Sequence, residues 1–114
     1  MGARGVGRQP IVVLVTCPTS AVAHRLATEL VKRRLAACVN LLPGVESVFQ
    51  WKGKIDRCRE QLLIIKTIAG KFEALRRAVI ARHPYEVPEV IALSLVAGHQ
   101  PYLEWIQGVV GQRC

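Results

Sequence analysis

The sequence predicts a single α+β domain built on a four-stranded sheet, and three observations lead to this class. The length of 114 residues is that of one domain. Half of the residues are hydrophobic but only 5% are aromatic, which indicates a core of aliphatic side chains. Extended runs and helical periodicities follow one another as strand, helix, strand, strand, helix, strand, helix. This order is the split βαβ, or ferredoxin-like, plan with one added helix.

The first elements follow a short polar segment. Residues 1–9 are rich in Gly and Arg without periodicity, and we expect a flexible leader ahead of a domain spanning residues 10–112. The β-branched run "IVVLVTC" predicts a strand covered on both faces, which Pro18 ends. Thr19 or Ser20 can then cap a helix whose apolar positions share one face as far as about Leu35.

The two central strands are predicted to form a long hairpin. The stretch "ACVNLLPGVESVFQW" is extended, with a bulge expected at its Pro-Gly pair. A Lys-Gly pair between Trp51 and Lys54 predicts a tight turn, because glycine supplies the positive φ that short hairpin loops require. The returning strand is "CREQLLIIKTI". A hairpin of this length cannot bury its apolar residues in a small monomer, so we expect an oligomer with Phe49, Trp51 and Trp105 as contacts.

The second half repeats the strand–helix alternation. Gly70 opens a helix that must stop before Pro84, because His83 is restricted away from helical angles. The stretch "VPEVIALSLVAG" is predicted as the fourth strand. Pro101 suits the first turn of a last helix, which Gly111 can end.

Composition excludes several classes of protein. The net charge of +8 comes from dispersed basic residues, several of them at helix ends, and few exposed aromatic residues accompany them, so we expect no nucleic-acid partner. No apolar run is long enough to span a membrane, and we expect a cytoplasmic protein. The four cysteines lack paired spacing and are expected to be free thiols. No catalytic motif is present, so we expect no enzymatic activity.

A few side chains carry possible metal or ligand chemistry. Cys17 ends the first strand and His83 ends the second helix. A helix antiparallel to its flanking strands would end at their N-terminal edge, so the two need not meet within one subunit, and an interface between subunits is the alternative. Thiolate, imidazole and carboxylate together suit copper or zinc. Glu86 and Glu89 can orient His83 or accept its ring N–H, and a solvated turn is the equal alternative.

His83 and Lys66 each have a purely structural interpretation as well. His83 can bond a nearby carbonyl or cap the negative end of its helix. Lys66 directly follows an apolar run, so its ammonium needs either a buried partner or the solvated end of the strand.

Four segments point to a known family. The stretches "RRLAACVNLLPGVESVFQWKGKI", "IIKT", "RHPYEVPEVIAL" and "YLEWI" resemble the CutA family of divalent-cation tolerance proteins, and the match covers roughly residues 11–107. The resemblance implies a ferredoxin-like subunit in a stable homotrimer, a link to tolerance of copper and other divalent metals, and no established enzymatic activity. It also implies a likeness to the trimeric PII signalling proteins, which bind small ligands in clefts between subunits.

The resemblance also implies a copper site. Its histidine and glutamate correspond to His83 and Glu60. The family cysteine falls where this chain has Val15, and Cys17 lies two residues further along the same face of the strand. We therefore expect Cu(II) or another divalent ion to bind His83, Glu60 and Cys17.

The sequence is compatible with two functions. The first is a non-enzymatic, homotrimeric metal-binding protein. The second is a PII-like sensor in which Lys66, Tyr85 and Trp51 line an interface cleft for a small anion, with Glu89 and Trp105 beside the same cleft.

Overall fold

The structure is a computed structural model, and it describes residues 7–111. Most of the predicted leader and Cys114 lie outside the described residues. Residues 7–9 adjoin the domain, because the carbonyl of Gln9 accepts a 2.8 Å hydrogen bond from the amide of Ala69 and the carbonyl of Arg8 accepts one of 2.9 Å from the Gln107 side chain. Within the described range no helix is both long and apolar enough to cross a membrane.

The described chain has the α+β composition that the sequence predicts, with four strands and three α-helices in the expected order. They are β1 (Pro10–Cys17), α1 (Ser20–Lys32), β2 (Cys38–Trp51), β3 (Lys54–Ile68), α2 (Phe72–Arg82), β4 (Ile91–Ser94) and α3 (Gln100–Gly111). A short 3-10 turn, Ala69–Lys71, leads into α2.

All neighbouring strands of the sheet are antiparallel, and their order is β2-β3-β1-β4. One face is covered by α1 and α2, where Val13, Val15, Leu63 and Ile65 are fully buried. Helix α3 packs near the C-terminal end of β3, where Ile106 and Val110 form a smaller cluster with Ala37 and Ile68. Alternate residues of the strands point to the opposite face, which is much less covered.

This open face carries large apolar side chains. Leu42, Ile91 and Leu93 are 45%, 50% and 51% exposed. The registers place Leu93 opposite Val12 and Ile91 opposite Leu14, and Leu14 lies opposite Ile64 of β3, so the apolar surface continues across β4, β1 and β3. A monomer of this fold therefore leaves an apolar sheet face in water.

The predicted hairpin is confirmed in its turn and in its bulge. Lys52 and Gly53 both have positive φ, 52° and 80°, as a two-residue type I′ turn requires. The register shifts between Leu42 and Val45, where the Pro-Gly pair lies. The hairpin contributes to an elongated shape of 47 × 25 × 24 Å and leaves Ile55 68% exposed.

One helix and one strand are shorter than expected. Helix α1 ends at Lys32 instead of Leu35, because Arg34 adopts a left-handed φ of 57° that ends the helical turn. Strand β4 covers only Ile91–Ser94 of the predicted stretch. Among the described residues β4 pairs with β1 alone, and β1 begins at Pro10, so the ladder ends on this side at Ser94, which lies opposite Ile11.

Candidate functional site

His83 lies at the end of α2 beside the C-terminal end of β1. Its ring Nε2 is 2.7 Å from the carbonyl oxygen of Thr16, the residue before Cys17. Whether His83 comes near Cys17 within one chain was left open by the sequence, and the structure places it beside the end of β1 in the same chain. The reason is that β3 runs antiparallel to β1, so a helix that returns along β3 ends where β1 ends.

Both ring nitrogens of His83 have partners with fixed roles. The Thr16 carbonyl can only accept, so Nε2 carries the hydrogen and donates it. The backbone N–H of Tyr85 donates to Nδ1 at 3.1 Å, so Nδ1 is the acceptor. Neither Glu86 nor Glu89 accepts the ring N–H, because a backbone carbonyl takes that position, and both are exposed, as in the alternative of a solvated turn. The structural interpretation of His83 as a carbonyl-bonded residue is confirmed, although its partner is distant in sequence.

Glu60 is buried at 7% exposure near the middle of β3. Its Oε2 accepts a 2.7 Å hydrogen bond from the Tyr85 hydroxyl, and its Oε1 accepts one of 2.6 Å from the Ser47 hydroxyl. Burial raises the pKa of the Tyr85 phenol well above its usual value, and the hydrogen bond to Glu60 raises it further. Tyr85 therefore stays protonated and remains a donor to Glu60 at physiological pH.

Cys17 points into the covered core and not into the open site. Its side chain is fully buried. Burial raises the pKa of the Cys17 thiol to about 11, and the negative charge of Glu60 adds to this effect. The thiol is consequently protonated near pH 7, and metal binding by its sulfur would have to release that proton.

We predict that folded protein protects Cys17 from maleimide labelling at pH 7.5. The raised pKa lowers its thiolate fraction by roughly a hundredfold, and burial removes access. Cys58 is half-buried and should be labelled before Cys17. Peptide mass spectrometry of a labelling time course measures both sites, with denatured protein as the control that labels all thiols. Equal labelling rates at Cys17 and Cys58 in the folded state would contradict this placement of Cys17.

A groove of about 810 Å³ lies between the hairpin and the loop that follows α2. Trp51, Tyr85 and Glu89 line it, as three of the five predicted cleft residues. Lys66 and Trp105 do not. Lys66 is half-buried near the end of β3, where its ammonium donates to the Asn40 side chain. Trp105 lies on α3 and stacks on Tyr102 at 5.5 Å.

The groove contains a thiol that sequence reasoning overlooked. Cys58 lines it, opposite Ser47 in the β2–β3 ladder. Burial raises the pKa of the Cys58 thiol, and so does the charge of Glu60, whereas the Tyr85 hydroxyl lowers it. The sequence alone could have identified Cys58 as a site residue. Cys58 and Glu60 are two residues apart in one strand, so both side chains lie on the same face.

The predicted ligands meet at one end of β1 but do not form a ready-made metal site in a single chain. No group of three or more His, Cys, Asp or Glu side chains in residues 7–111 is arranged to hold a metal ion. Both Glu60 oxygens and both His83 nitrogens are already hydrogen-bonded. The ligand set of Cys17, Glu60 and His83 therefore stays a prediction.

Residues 11–109 match the model of a family described as "CutA1 divalent ion tolerance protein". The chain belongs to the CutA1 family. The divalent-cation tolerance protein CutA of Thermus thermophilus is 44% identical over 100 residues, which cover 88% of this chain and 97% of that protein. The chloroplastic protein CutA of Arabidopsis thaliana is 50% identical over 97 residues, 85% of this chain and 53% of that protein. This CutA1 family member thus spans about half the length of the plant relative.

The fold of this CutA1 family member agrees with a solved structure as well. The structure of the periplasmic divalent cation tolerance protein CutA from Archaeoglobus fulgidus superposes with a TM-score of 0.86 at 37% identity. The match covers 89% of this chain and 98% of that one. The resemblance inferred from the four sequence segments is therefore confirmed at the level of the family and of the α+β fold.

Proposed function

We propose that this chain serves divalent-cation tolerance by binding a divalent ion, with Cu(II) as the first ion to test. Membership in a family described by divalent ion tolerance supports the general role. We assign Glu60 and His83 as the principal ligands, since carboxylate and imidazole both bind divalent transition metals. Cys17 is the third predicted ligand, and its sulfur would bind the ion only after the thiol loses its proton.

The observation that carries this assignment is that one residue engages both candidate ligands. The hydroxyl of Tyr85 donates to Glu60 Oε2, and its backbone N–H donates to His83 Nδ1. The Tyr85 ring also lies 4.8 Å from the imidazole, measured between ring centroids. A shift of Tyr85 away from the sheet would free a carboxylate oxygen and a ring nitrogen together, on one side of the site. Tyr85 therefore competes with a metal ion for the same lone pairs.

Calorimetric titration with Cu(II) tests the proposal through four variants. His83→Ala and Glu60→Gln should each weaken binding about tenfold or more, because each removes a proposed ligand. His99→Ala is the matched control, since His99 is exposed on the loop before α3, and it should bind as the parent does. Tyr85→Phe should bind at least as tightly as the parent, because it removes the hydroxyl that competes for Glu60. Binding that neither His83→Ala nor Glu60→Gln weakens would refute the ligand assignment.

We also propose that three copies assemble as a homotrimer of ferredoxin-like subunits. The number three comes from the family resemblance. The open sheet face supports association, because Leu42, Ile91 and Leu93 expose apolar surface that a partner copy would cover. Sedimentation velocity over a range of protein concentrations measures the stoichiometry directly, and a single-chain mass at every concentration would contradict the proposal.

A binding role without turnover, in the cytoplasm, completes the proposal. In the described chain His83 bonds the Thr16 carbonyl and the Tyr85 backbone N–H, so it is not paired with a hydroxyl or thiol nucleophile as covalent catalysis requires. Cys17, Cys38 and Cys58 are free thiols, as is common in a reducing compartment. The names of two relatives refer to the chloroplast and the periplasm, so cell fractionation is the direct test of location.

The PII-like sensor remains the second hypothesis, but the groove is chemically ill-suited to an anion within one chain. Lys66, the predicted cation of that cleft, lies elsewhere, and Glu60, Glu86 and Glu89 line the groove. A thermal-shift screen with anionic metabolites distinguishes the hypotheses, since stabilisation by anions but not by metal would favour the sensor.

A further inference from the structure

The helical side of the subunit carries much of the positive charge of the chain. Residues 20–34 and 71–82, which are α1 and α2 with their flanking residues, hold eight of the 16 Lys and Arg residues but only two of the 8 Asp and Glu residues. Those two carboxylates, on Glu29 and Glu73, already form ion pairs with neighbouring arginines. The excess of cations gives this side of the subunit a positive potential, which an anionic partner would relieve.

A groove of about 540 Å³ runs along α1 and reaches the end of α2, and we call it the α1 groove. Three cationic side chains line it, those of Arg25, Lys32 and Arg82, against the single carboxylate of Glu29 among the described residues. The half-buried Val22 adds apolar surface to the lining. No Phe, Tyr or Trp of the described range lines it. The α1 groove therefore combines a positive charge with an aliphatic contact.

Two of these cations have no anionic partner within the described chain. Arg82 already pairs with Glu29, at 3.5 Å. No ion pair between residues 7 and 111 uses Arg25 or Lys32. The two lie on one face of α1, seven residues or about 10 Å apart along the axis. Lys32 stabilises the C-terminal end of the helix dipole, whereas Arg25 lies in the middle of the helix, where that effect is absent.

Association through the open sheet face leaves the α1 groove in solvent. Helices α1 and α2 cover the opposite face of the sheet, so the proposed contact between copies does not involve their outer surface. Arg25 and Lys32 are both exposed on that surface. The α1 groove therefore remains accessible to a different partner in the proposed homotrimer.

We infer that the α1 groove binds an acidic segment of a partner protein, with carboxylates at Arg25 and Lys32 and an apolar side chain against Val22. Clusters of basic side chains commonly recognise acidic motifs. A second copy of this chain does not supply an acidic run, because no two of its 8 Asp and Glu residues are adjacent in sequence. A lipid bilayer is too flat to enter a groove, and a single-stranded nucleic acid would find no aromatic side chain for base stacking.

Calorimetric titration of the full chain with an acidic peptide tests the inference, with EDTA present to remove metal. The probe is a capped peptide of repeated Glu-Glu-Leu-Ala units, and its control replaces every Glu by Gln. The Glu peptide should bind about tenfold or more tightly than the Gln peptide, and added salt should weaken its binding, because exposed ion pairs are screened. Equal binding of the two peptides, or binding of neither, would overturn the inference. Tighter binding of phosphatidylserine vesicles or of single-stranded DNA would also overturn it, in favour of a membrane or a nucleic acid.

Two double variants with the same change of charge locate the site. Arg25→Gln/Lys32→Gln should weaken binding of the Glu peptide about tenfold or more. Lys52→Gln/Lys54→Gln is the matched control and should bind as the parent does, because both lysines are exposed at the hairpin turn and neither lines the α1 groove. Equal weakening in both double variants would show attraction to net charge alone, contrary to the inference. Copper binding to Arg25→Gln/Lys32→Gln should match the parent, so failure of one proposal is distinguishable from failure of the other.

Discussion

Leu93→Glu is expected to dissociate the proposed homotrimer into single chains. Leu93 lies on the short edge strand β4 and points to the open sheet face, where it is 51% exposed and opposite Val12. If a second copy covers this face, the substitution places a carboxylate in an apolar contact without a cationic partner. An uncompensated buried charge costs on the order of 3 kcal/mol or more, which corresponds to at least a hundredfold weaker association.

Sedimentation velocity at several protein concentrations measures this dissociation. Ile80→Glu is the matched control, because Ile80 has a similar exposure of 46% but lies on α2, on the other side of the sheet. The control should keep the mass of the parent protein. Circular dichroism of both variants shows whether the released chain keeps its secondary structure. If Leu93→Glu sediments as the parent does, the open face is not the surface of association.

Much of the hairpin could be predicted from the sequence because local chemistry determines it. The Lys-Gly turn pairs Trp51 with Lys54, and counting outward from that pair gives the register as far as Val45 and Glu60. The same counting places Ser47 opposite Cys58. The Pro-Gly bulge then shifts the register by one residue, and its position was also visible in the sequence.

The candidate site was harder to predict because its contacts are distant in sequence. The bond from His83 to Thr16 spans 67 positions, and the bond from Tyr85 to Glu60 spans 25. Neither periodicity nor turn chemistry specifies such pairs, and the position of His83 relative to β1 depends on β1 and β3 running in opposite directions, which the sequence leaves open. The family resemblance identified His83 and Glu60 but not Tyr85 as their shared partner.

The two faces of the sheet and the length of β3 explain why Cys17 on β1 and Lys66 on β3 differ from expectation. A strand sends successive side chains to opposite faces. Cys17 belongs to the face that α1 and α2 cover, so its thiol is buried among aliphatic side chains. Lys66 belongs to the other face, and it lies six residues along β3 from Glu60, too far for the two to meet in one groove. Composition identifies such residues as candidates, but only the register shows which of them share a surface.

Leu63→Ala is expected to destabilise each chain by about 2 to 5 kcal/mol, the usual cost of truncating a fully buried leucine. Leu63 is 0% exposed and lies in the cluster between the sheet and α1 and α2. Its neighbour Leu62 supplies the matched control, because Leu62→Ala removes the same atoms from the half-covered open face. Urea unfolding at fixed protomer concentration measures both free energies of unfolding.

Both substitutions are also made in the Leu93→Glu variant, which is expected to be a single chain, and their effects on the free energy of unfolding are compared in the two backgrounds. Leu63→Ala should cost the same free energy in single chains as in the assembly, because its contacts all lie within one subunit. Leu62→Ala should cost little in single chains and more in the assembly, because a partner copy completes its surroundings there. Leu62 and Leu63 lie on opposite faces of β3, so comparing the two variants would separate the free energy of folding from the free energy of association. Equal costs for Leu62→Ala in both backgrounds would mean that the open face gains no packing from a partner.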